Sequence, residues 1–438
     1  MTQEGLGSWG RYPAFPQQGH PVFWREDVPR VLAEMTAESP ALAYGCGRSY
    51  GDSCMAVSDQ VLAMRSMNRL ISADWSTGVV VAEAGLTLAD LIQVAVPRGW
   101  FLRVTPGTKF VTLGGAVAND VHGKNHHVAG TFGCHVRRLT LHRTAEGTVA
   151  ASRTERSELF AATIGGLGLT GIILTVELQL RAVTSSEIQQ SSIRFRSLDE
   201  FYDLSDAHDR DHEYTVAWVD CVATGKSSGR GHYIAGQHAL DGGLNTEKSD
   251  ALCFPIDPPM SLVNVHTLRT LNAVYYHRQL RKKAVGRIGY DAFFYPLDRV
   301  SLWNRIYGRP GFQQYQCVVP QADAREIIRE VLREISRSGT GSFLAVLKRC
   351  GTQRSPGLMS FPLPGVSLAL DFPQRAEANR RLFAILDALV HEAEGRLYPA
   401  KDAHMSAAHF QRAYPDWERV EKLRDPQLMS RFWRRVTQ

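Results

Sequence analysis

Three glycine clusters between residues 45 and 171 constrain this chain more than any other feature. They are Gly45-Cys46-Gly47-Arg48-Ser49-Tyr50-Gly51-Asp52, the run from Thr112 through Gly114 and Gly115 to His127, and Gly165-Gly166-Leu167-Gly168-Leu169-Thr170-Gly171. Glycine-dense segments let backbone approach a ligand, and successive N–H groups in such loops form anion-binding concavities. The first cluster, with small polar residues among its glycines, reads as a loop converging on a diphosphate, and equally as a tight turn. The second follows Thr105-Pro106-Gly107-Thr108, and its His122-Gly123-Lys124-Asn125 segment adds donors and a cation. The third contains a literal Gly-x-Gly-x-x-Gly. In a nicotinamide-binding unit that pattern follows a strand and opens a helix. Here a helical pattern over residues 157–164 comes before it and a strand over residues 172–180 after it. The run therefore reads as a tight helix-to-strand corner beside a ligand.

The surrounding patterns give an α+β chain. Residues 78–85 read as a strand, and Thr87 caps a short amphipathic helix over residues 88–96 that Pro97 ends. The last third predicts a strand over residues 312–319 stopped by Pro320, a helix over 322–338, and strands over 342–349 and 366–372. A helix over 376–394 and a strand over 395–400 complete it. That βαββαβ order is that of a ferredoxin-like antiparallel sheet. Residues 225–290 are the least regular stretch, where mobile loops are expected, and the last 35 residues read as helical.

Composition narrows the function classes. The chain has 438 residues, 44% hydrophobic and 21% charged, which excludes disordered and fibrous readings. Its net charge of +6 is spread without a run of five basic residues, so no nucleic-acid partner is expected, while a membrane surface or an anionic ligand stays permitted. Seven scattered cysteines, never spaced as Cys-x-x-Cys, argue against a disulfide framework or structural zinc and for a reducing compartment. His122, His126 and His127 lack the spacing of a helical zinc site, so no metal is expected. No apolar window is long enough to span a membrane, residues 78–102 being interrupted by Glu83, Asp90, Pro97 and Arg98. The N-terminus lacks the pattern of a signal peptide, and a cytoplasmic location is expected.

Taken in order and spacing, the three clusters resemble the FAD domain of the PCMH-type flavoproteins, the vanillyl-alcohol-oxidase superfamily, and within it the lipid-phosphoribose oxidases. Shared wording includes Gly47 to Asp52, His122 to His127, Gly168 to Ile173, Tyr295-Pro296-Leu297-Asp298, Trp303-Asn304-Arg305, Gln314-Tyr315-Gln316, Ser342 to Leu344, Ser360 to Pro362 and Tyr398 to Asp402. It covers roughly residues 10–430.

The resemblance implies an FAD-binding PCMH-type domain over residues 1–182, a substrate-binding cap over 183–395, and a segment over 396–438 that returns to the FAD domain. It implies FAD contacts from Gly45, Cys46, Gly47, Arg48, Ser49, Tyr50, Gly51, Asp52 and Ser53, and from Gly107, Thr112, Leu113, Gly114, Gly115 and Asn119. His122, Gly123, Lys124, Asn125, Ile173 and Tyr398 complete that set. Arg48 stands where some members carry a flavin-linking histidine, which implies non-covalent FAD. Ala369 and Ser367 replace a cysteine and an asparagine common among the nearest relatives, and so alter the pocket wall.

Oxidising a secondary alcohol with flavin requires the carbinol hydrogen over flavin N5, a proton acceptor at the hydroxyl, and a clamp on the substrate. By resemblance Lys401 is the first candidate at the hydroxyl, followed by Tyr50 and His122. Without the resemblance, Lys401 reads as a surface lysine paired with Asp402. Gln314 and Gln316 alternate on one strand face suited to sugar hydroxyls, and Lys348 and Ser367 lie on neighbouring strands. The leading expectation is oxidation of a ribose-like furanose hydroxyl, on a lipid phosphate, to a ketone. An NAD(P)H-dependent reductase partner would complete an epimerisation in cell-wall or secondary-metabolite biosynthesis. The alternatives are a small soluble polyol, sugar lactone or antibiotic sugar as substrate, and a flavoprotein scaffold without turnover.

Overall fold

A computed structural model describes residues 3–35, 39–246 and 252–438. Its first half is built on two sheets. An antiparallel five-stranded sheet runs in the order Leu70–Asp74, Val79–Glu83, Ile172–Gln179, Val136–Arg143, Gly147–Ser152. The strand Ile172–Gln179 is central because both of its faces are mostly apolar and buried. A four-stranded sheet orders Gln3–Leu6, Gln17–Pro21, Gln60–Ala63 and Leu42–Tyr44. The helix Leu88–Ala95 starts where Thr87 accepts from the Asp90 amide while the Asp90 carboxylate accepts from the Thr87 amide, a reciprocal cap. Its Leu88, Leu91, Ile92 and Ala95 face the core. The third glycine cluster is the corner between the helix Ser157–Thr163 and the strand Ile172–Gln179, with Gly168 at φ +76°.

The second half is one antiparallel eight-stranded sheet. Its order is Lys283–Gly289, Glu187–Phe195, Gly231–His238, Tyr214–Val219, Val346–Cys350, Gly365–Pro373, Phe312–Pro320, Arg396–Leu397. The last four strands have the ferredoxin-like order, with the helices Ala324–Ser338 and Ala376–Glu392 between them in sequence. Side chains alternate across the pleat. Tyr315, Cys317, Leu347, Leu368 and Leu370 pack with Ile328, Val331, Leu382 and Phe383 of the two helices. Gln314, Gln316, Lys348, Ser367, Ala369 and Asp371 point the other way and line a cavity.

Several elements differ from their sequence patterns for local reasons. The strand expected over residues 342–349 begins only at Val346, because the Ser342 hydroxyl accepts from the amides of Leu344 and Asp371 and holds residues 342–345 in an irregular path. The closing strand shrinks to Arg396–Leu397, since Pro399 has no N–H for a ladder and Lys401 turns back to donate to the Tyr398 carbonyl at 2.9 Å. Residues 225–290 are more regular than their sequence suggests, holding the strands Gly231–His238 and Lys283–Gly289 and the helix Val265–His277. Residues 247–251 of that stretch lie outside the described residues. The chain ends in three short helices, Ala407–Ala413, Trp417–Leu423 and Arg431–Thr437. Bridges from Leu428 to Ala41 and from Ser430 to Ala56 bring this end back against the first half.

Candidate active site

A cavity of about 560 Å³ lies between the glycine loops and the polar face of the large sheet. All three clusters reach it. In the first loop, Tyr50 donates its amide to the Ala400 carbonyl at 2.9 Å and the Ser49 carbonyl accepts from Trp9 at 2.8 Å, which tie the loop at one end. Among the described residues, the amides of Cys46, Gly47, Arg48 and Ser49 find no acceptor within the protein, although these residues line the cavity. The Ser53 hydroxyl, also at the wall, is buried without a partner. A Cβ on Gly45 would sit 2.5 Å from the Thr112 hydroxyl, so the loop passes the second cluster only because no side chain intervenes. Thr112 in turn caps the helix Leu113–Ala118 by accepting from Gly115. Unused amides and a bare hydroxyl, held on glycine backbone, are what a diphosphate-bearing ligand requires.

At the other end of the cavity polar side chains converge. His122 is buried, and Lys348 Nζ donates to its Nδ1 and to the Gly123 carbonyl at 2.9 Å. Burial first, then the cations of Lys348 and Lys401 and the ring of His126, hold the His122 pKa well below its ordinary value, so the ring is neutral. The Gln316 amide nitrogen lies 3.2 Å from the other ring nitrogen, Nε2, so the ring is held between a lysine and a glutamine. The ring lies 5.5 Å from Tyr398, which stacks on Phe361.

Lys401 Nζ lies 3.6 Å from the centre of the Tyr50 ring. Burial pushes its pKa down to about 7, opposed by the charge of Asp371. The Asp402 pairing is absent: that carboxylate accepts from Arg435 at 2.9 Å and lies 3.2 Å from His404. Lys401 is a cavity lysine. Asp371 escaped the sequence reading. It is buried, accepts from Gln314 at 2.6 Å, and burial raises its pKa to about 7 against the Gln314 bond and the Lys401 charge. Its signal was present, since Ser367, Ala369 and Asp371 share one strand face. What was missing was the register that sets Asp371 opposite Gln314. Lys348, lowered by burial to about 8, and Lys124, lowered to about 7, add two more desolvated amines. Trp9, stacked under the Arg48 guanidinium at 4.0 Å, lines the cavity unannounced by the sequence, and Asp298 of the Tyr295–Asp298 motif lines it too.

Most residues singled out from sequence line this cavity, including Gly107, Asn119, Ile173 and Tyr398. Four do not. Gly51 packs on the Asp402 carbonyl, which a Cβ would meet at 1.7 Å. Asp52 pairs with Arg435, Leu113 sits in the apolar core, and Asn125 donates to the Arg103 carbonyl at 2.8 Å. These four shape the loops from behind. Among the described residues no group of three or more His, Cys, Asp or Glu is arranged to hold a metal ion.

Comparison with known proteins defines the class. Residues 25–152 match the family model described as an FAD binding domain. Over 444 aligned residues the chain is 37% identical to decaprenylphosphoryl-β-D-ribose oxidase of Mycolicibacterium smegmatis, spanning 97% of this chain and 95% of that protein. It is also 32% identical to the L-gulonolactone oxidase of Bos taurus over 213 residues, 47% of this chain and 46% of that one. The chain belongs to the family of PCMH-type, FAD-binding oxidoreductases that includes decaprenylphosphoryl-β-D-ribose oxidase. It is an FAD-dependent enzyme acting on CH–OH groups. The unused amides of the first loop and the bare Ser53 hydroxyl fit the FAD diphosphate.

Proposed function

We propose that the chain oxidises a secondary hydroxyl of a ribose-like furanose, carried on a lipid phosphate, to the ketone. The observation that carries this reading is the composition of the cavity wall. A polar row of Gln314, Gln316, Lys348, Ser367 and Asp371 with Lys401 meets an apolar stretch made by Val216, Trp218, Ile234, Leu302 and Val346. The polar row suits a sugar, and the apolar stretch suits the start of a hydrocarbon tail.

The first loop with Ser53, Thr112, Gly114, Gly115, His122, Ile173 and Tyr398 would hold FAD. When bound there, FAD supplies the hydride acceptor. Gln314, Gln316 and Ser367 bind the ring hydroxyls and fix their orientation. The free form of the Lys401 amine, which its pKa of about 7 makes accessible at neutral pH, accepts the hydroxyl proton, and the charge of Asp371 stabilises the ammonium that results. Tyr50 packs beneath that ammonium through its ring face. Neutral His122, held between Lys348 and Gln316, fixes the shape of the polar end, and Lys348, lowered only to about 8 and so mostly charged at neutral pH, supplies positive charge for a phosphate. A ketone formed this way is the substrate of a separate nicotinamide-dependent reductase that would return the inverted hydroxyl.

The overlap with L-gulonolactone oxidase supports the second reading, a soluble sugar lactone. Incubating the protein with a polyprenylphosphoryl ribose and, separately, with sugar lactones and free pentoses tests both. The lipid-linked sugar is expected to yield a product lighter by two hydrogens, while turnover of the lactone alone would replace the proposal with the second reading. The flavin is expected to leave with the supernatant on acid precipitation, because Arg48 cannot form a flavin bond. Yellow colour retained in the pellet would contradict non-covalent binding.

A further inference from the structure

Six large apolar side chains between residues 256 and 285 are more than half exposed: Ile256, Met260, Leu271, Val274, Leu280 and Val285. Four of them, Ile256, Met260, Leu271 and Val274, lie on two segments that reach the cavity rim. On the helix Val265–His277, Leu268, Asn272 and Tyr276 face inward while Leu271 and Val274 face out, and Tyr275 between them lines the cavity. The segment carrying Ile256 and Met260 is laid along the cavity rim. Leu252 and Cys253 pair with Val300 and Ser301, the Leu262 amide donates to the Ile306 carbonyl at 2.9 Å, and Val300 to Trp303 line the cavity.

The same region is strongly basic. Residues 252–309 hold nine Lys and Arg against three aspartates, Asp257, which pairs with Arg11, and the buried Asp291 and Asp298, an excess equal to that of the whole chain. Lys282 and Arg287 have acidic partners. Among the described residues, Arg269, Arg281 and Lys283 are exposed without one. Exposed apolar side chains interleaved with unpaired cations are the pattern of a surface that inserts shallowly among anionic lipid headgroups. No helix among the described residues is long and apolar enough to cross a membrane, so such contact would be peripheral.

We propose that this rim docks the protein on an anionic bilayer, with the cavity mouth turned toward the headgroups. The occupant is a lipid surface because charge complementarity and continuity with the cavity coincide there. The use of such docking, delivery of a membrane-held substrate, rests on the lipid-linked reading above. The docking itself does not.

Co-sedimentation of the flavin-loaded full chain with vesicles, without substrate, tests it. Vesicles containing phosphatidylglycerol are expected to bind at least about tenfold more tightly than phosphatidylcholine alone, with binding weakened by salt. Leu271→Glu with Val274→Glu, and separately Arg281→Glu with Lys283→Glu, are each expected to lower that affinity by about tenfold or more. Turnover of detergent-dispersed substrate should stay unchanged. Absence of vesicle binding, or binding indifferent to both pairs, would overturn the proposal. So would a self-associated form in light scattering that the same substitutions dissolve, which would assign the face to a second copy. Turnover in detergent without vesicle binding would remove the docking and leave the substrate reading standing.

Discussion

Lys401→Ala is expected to leave FAD bound and to slow substrate-driven flavin reduction by about 10²–10⁴-fold, the usual contribution of general acid–base groups. The amine sits half-buried at the cavity wall over the Tyr50 ring, its pKa pulled down to about 7. It therefore reaches the free form that accepts a proton without leaving neutral pH. Lys401→Arg should not restore the rate, because a guanidinium keeps the charge and cannot take a proton. The pH dependence follows in sign: the reduction rate should rise as pH increases through about 7, where Lys401 loses its proton, and then level off. Asp371 titrates in the same range and couples to it, so the rise belongs to the pair. Stopped-flow reduction at saturating substrate measures this. A Lys401→Ala protein within about threefold of the parent would put the proton elsewhere.

The second large effect is structural. Arg435, in the last helix, donates to Asp52 behind the first glycine loop and to Asp402 beside Lys401, both at 2.9 Å, and also to the Met405 carbonyl. Both carboxylates are buried. Arg435→Met leaves the buried Asp52 without its cation and Asp402 with His404 alone, and stranding a buried charge costs up to about 3–5 kcal/mol, less here because Arg435 is partly exposed. The variant is expected to unfold at clearly lower temperature and to hold FAD less tightly, since the bond anchors both walls of the cavity. Asp52→Asn in the Arg435→Met background should recover part of the loss by removing one stranded charge. Thermal unfolding followed by flavin fluorescence reads both, and an Arg435→Met midpoint equal to the parent's would refute the anchoring role.

What the sequence disclosed was local. The glycine loops announce themselves because the need for close backbone approach is written in consecutive residues. Gln314 and Gln316 are legible because a strand alternates every two residues. The rest depended on chain segments far apart in sequence. Asp371 acquires meaning only when Phe312–Pro320 and Gly365–Pro373 pair in register. Trp9 reaches the cavity from the N-terminus, and Arg435 ties in from the far end. The ferredoxin-like half-sheet was visible, yet its extension through Tyr214–Val219 beside Val346–Cys350 was not, because that pairing leaves no local signature. Residues 225–290 looked irregular for a related reason. Lys283–Gly289 is an edge strand with five exposed residues in succession, so it carries no hydrophobic period.

The most direct test of the account is anaerobic mixing of the FAD-loaded protein with one equivalent of a polyprenylphosphoryl ribose while flavin absorbance is followed. The flavin is expected to bleach to completion in a single phase, with the corresponding keto sugar recovered in equal amount. Flavin that stays oxidised with that substrate, yet bleaches with a soluble sugar lactone, would contradict it.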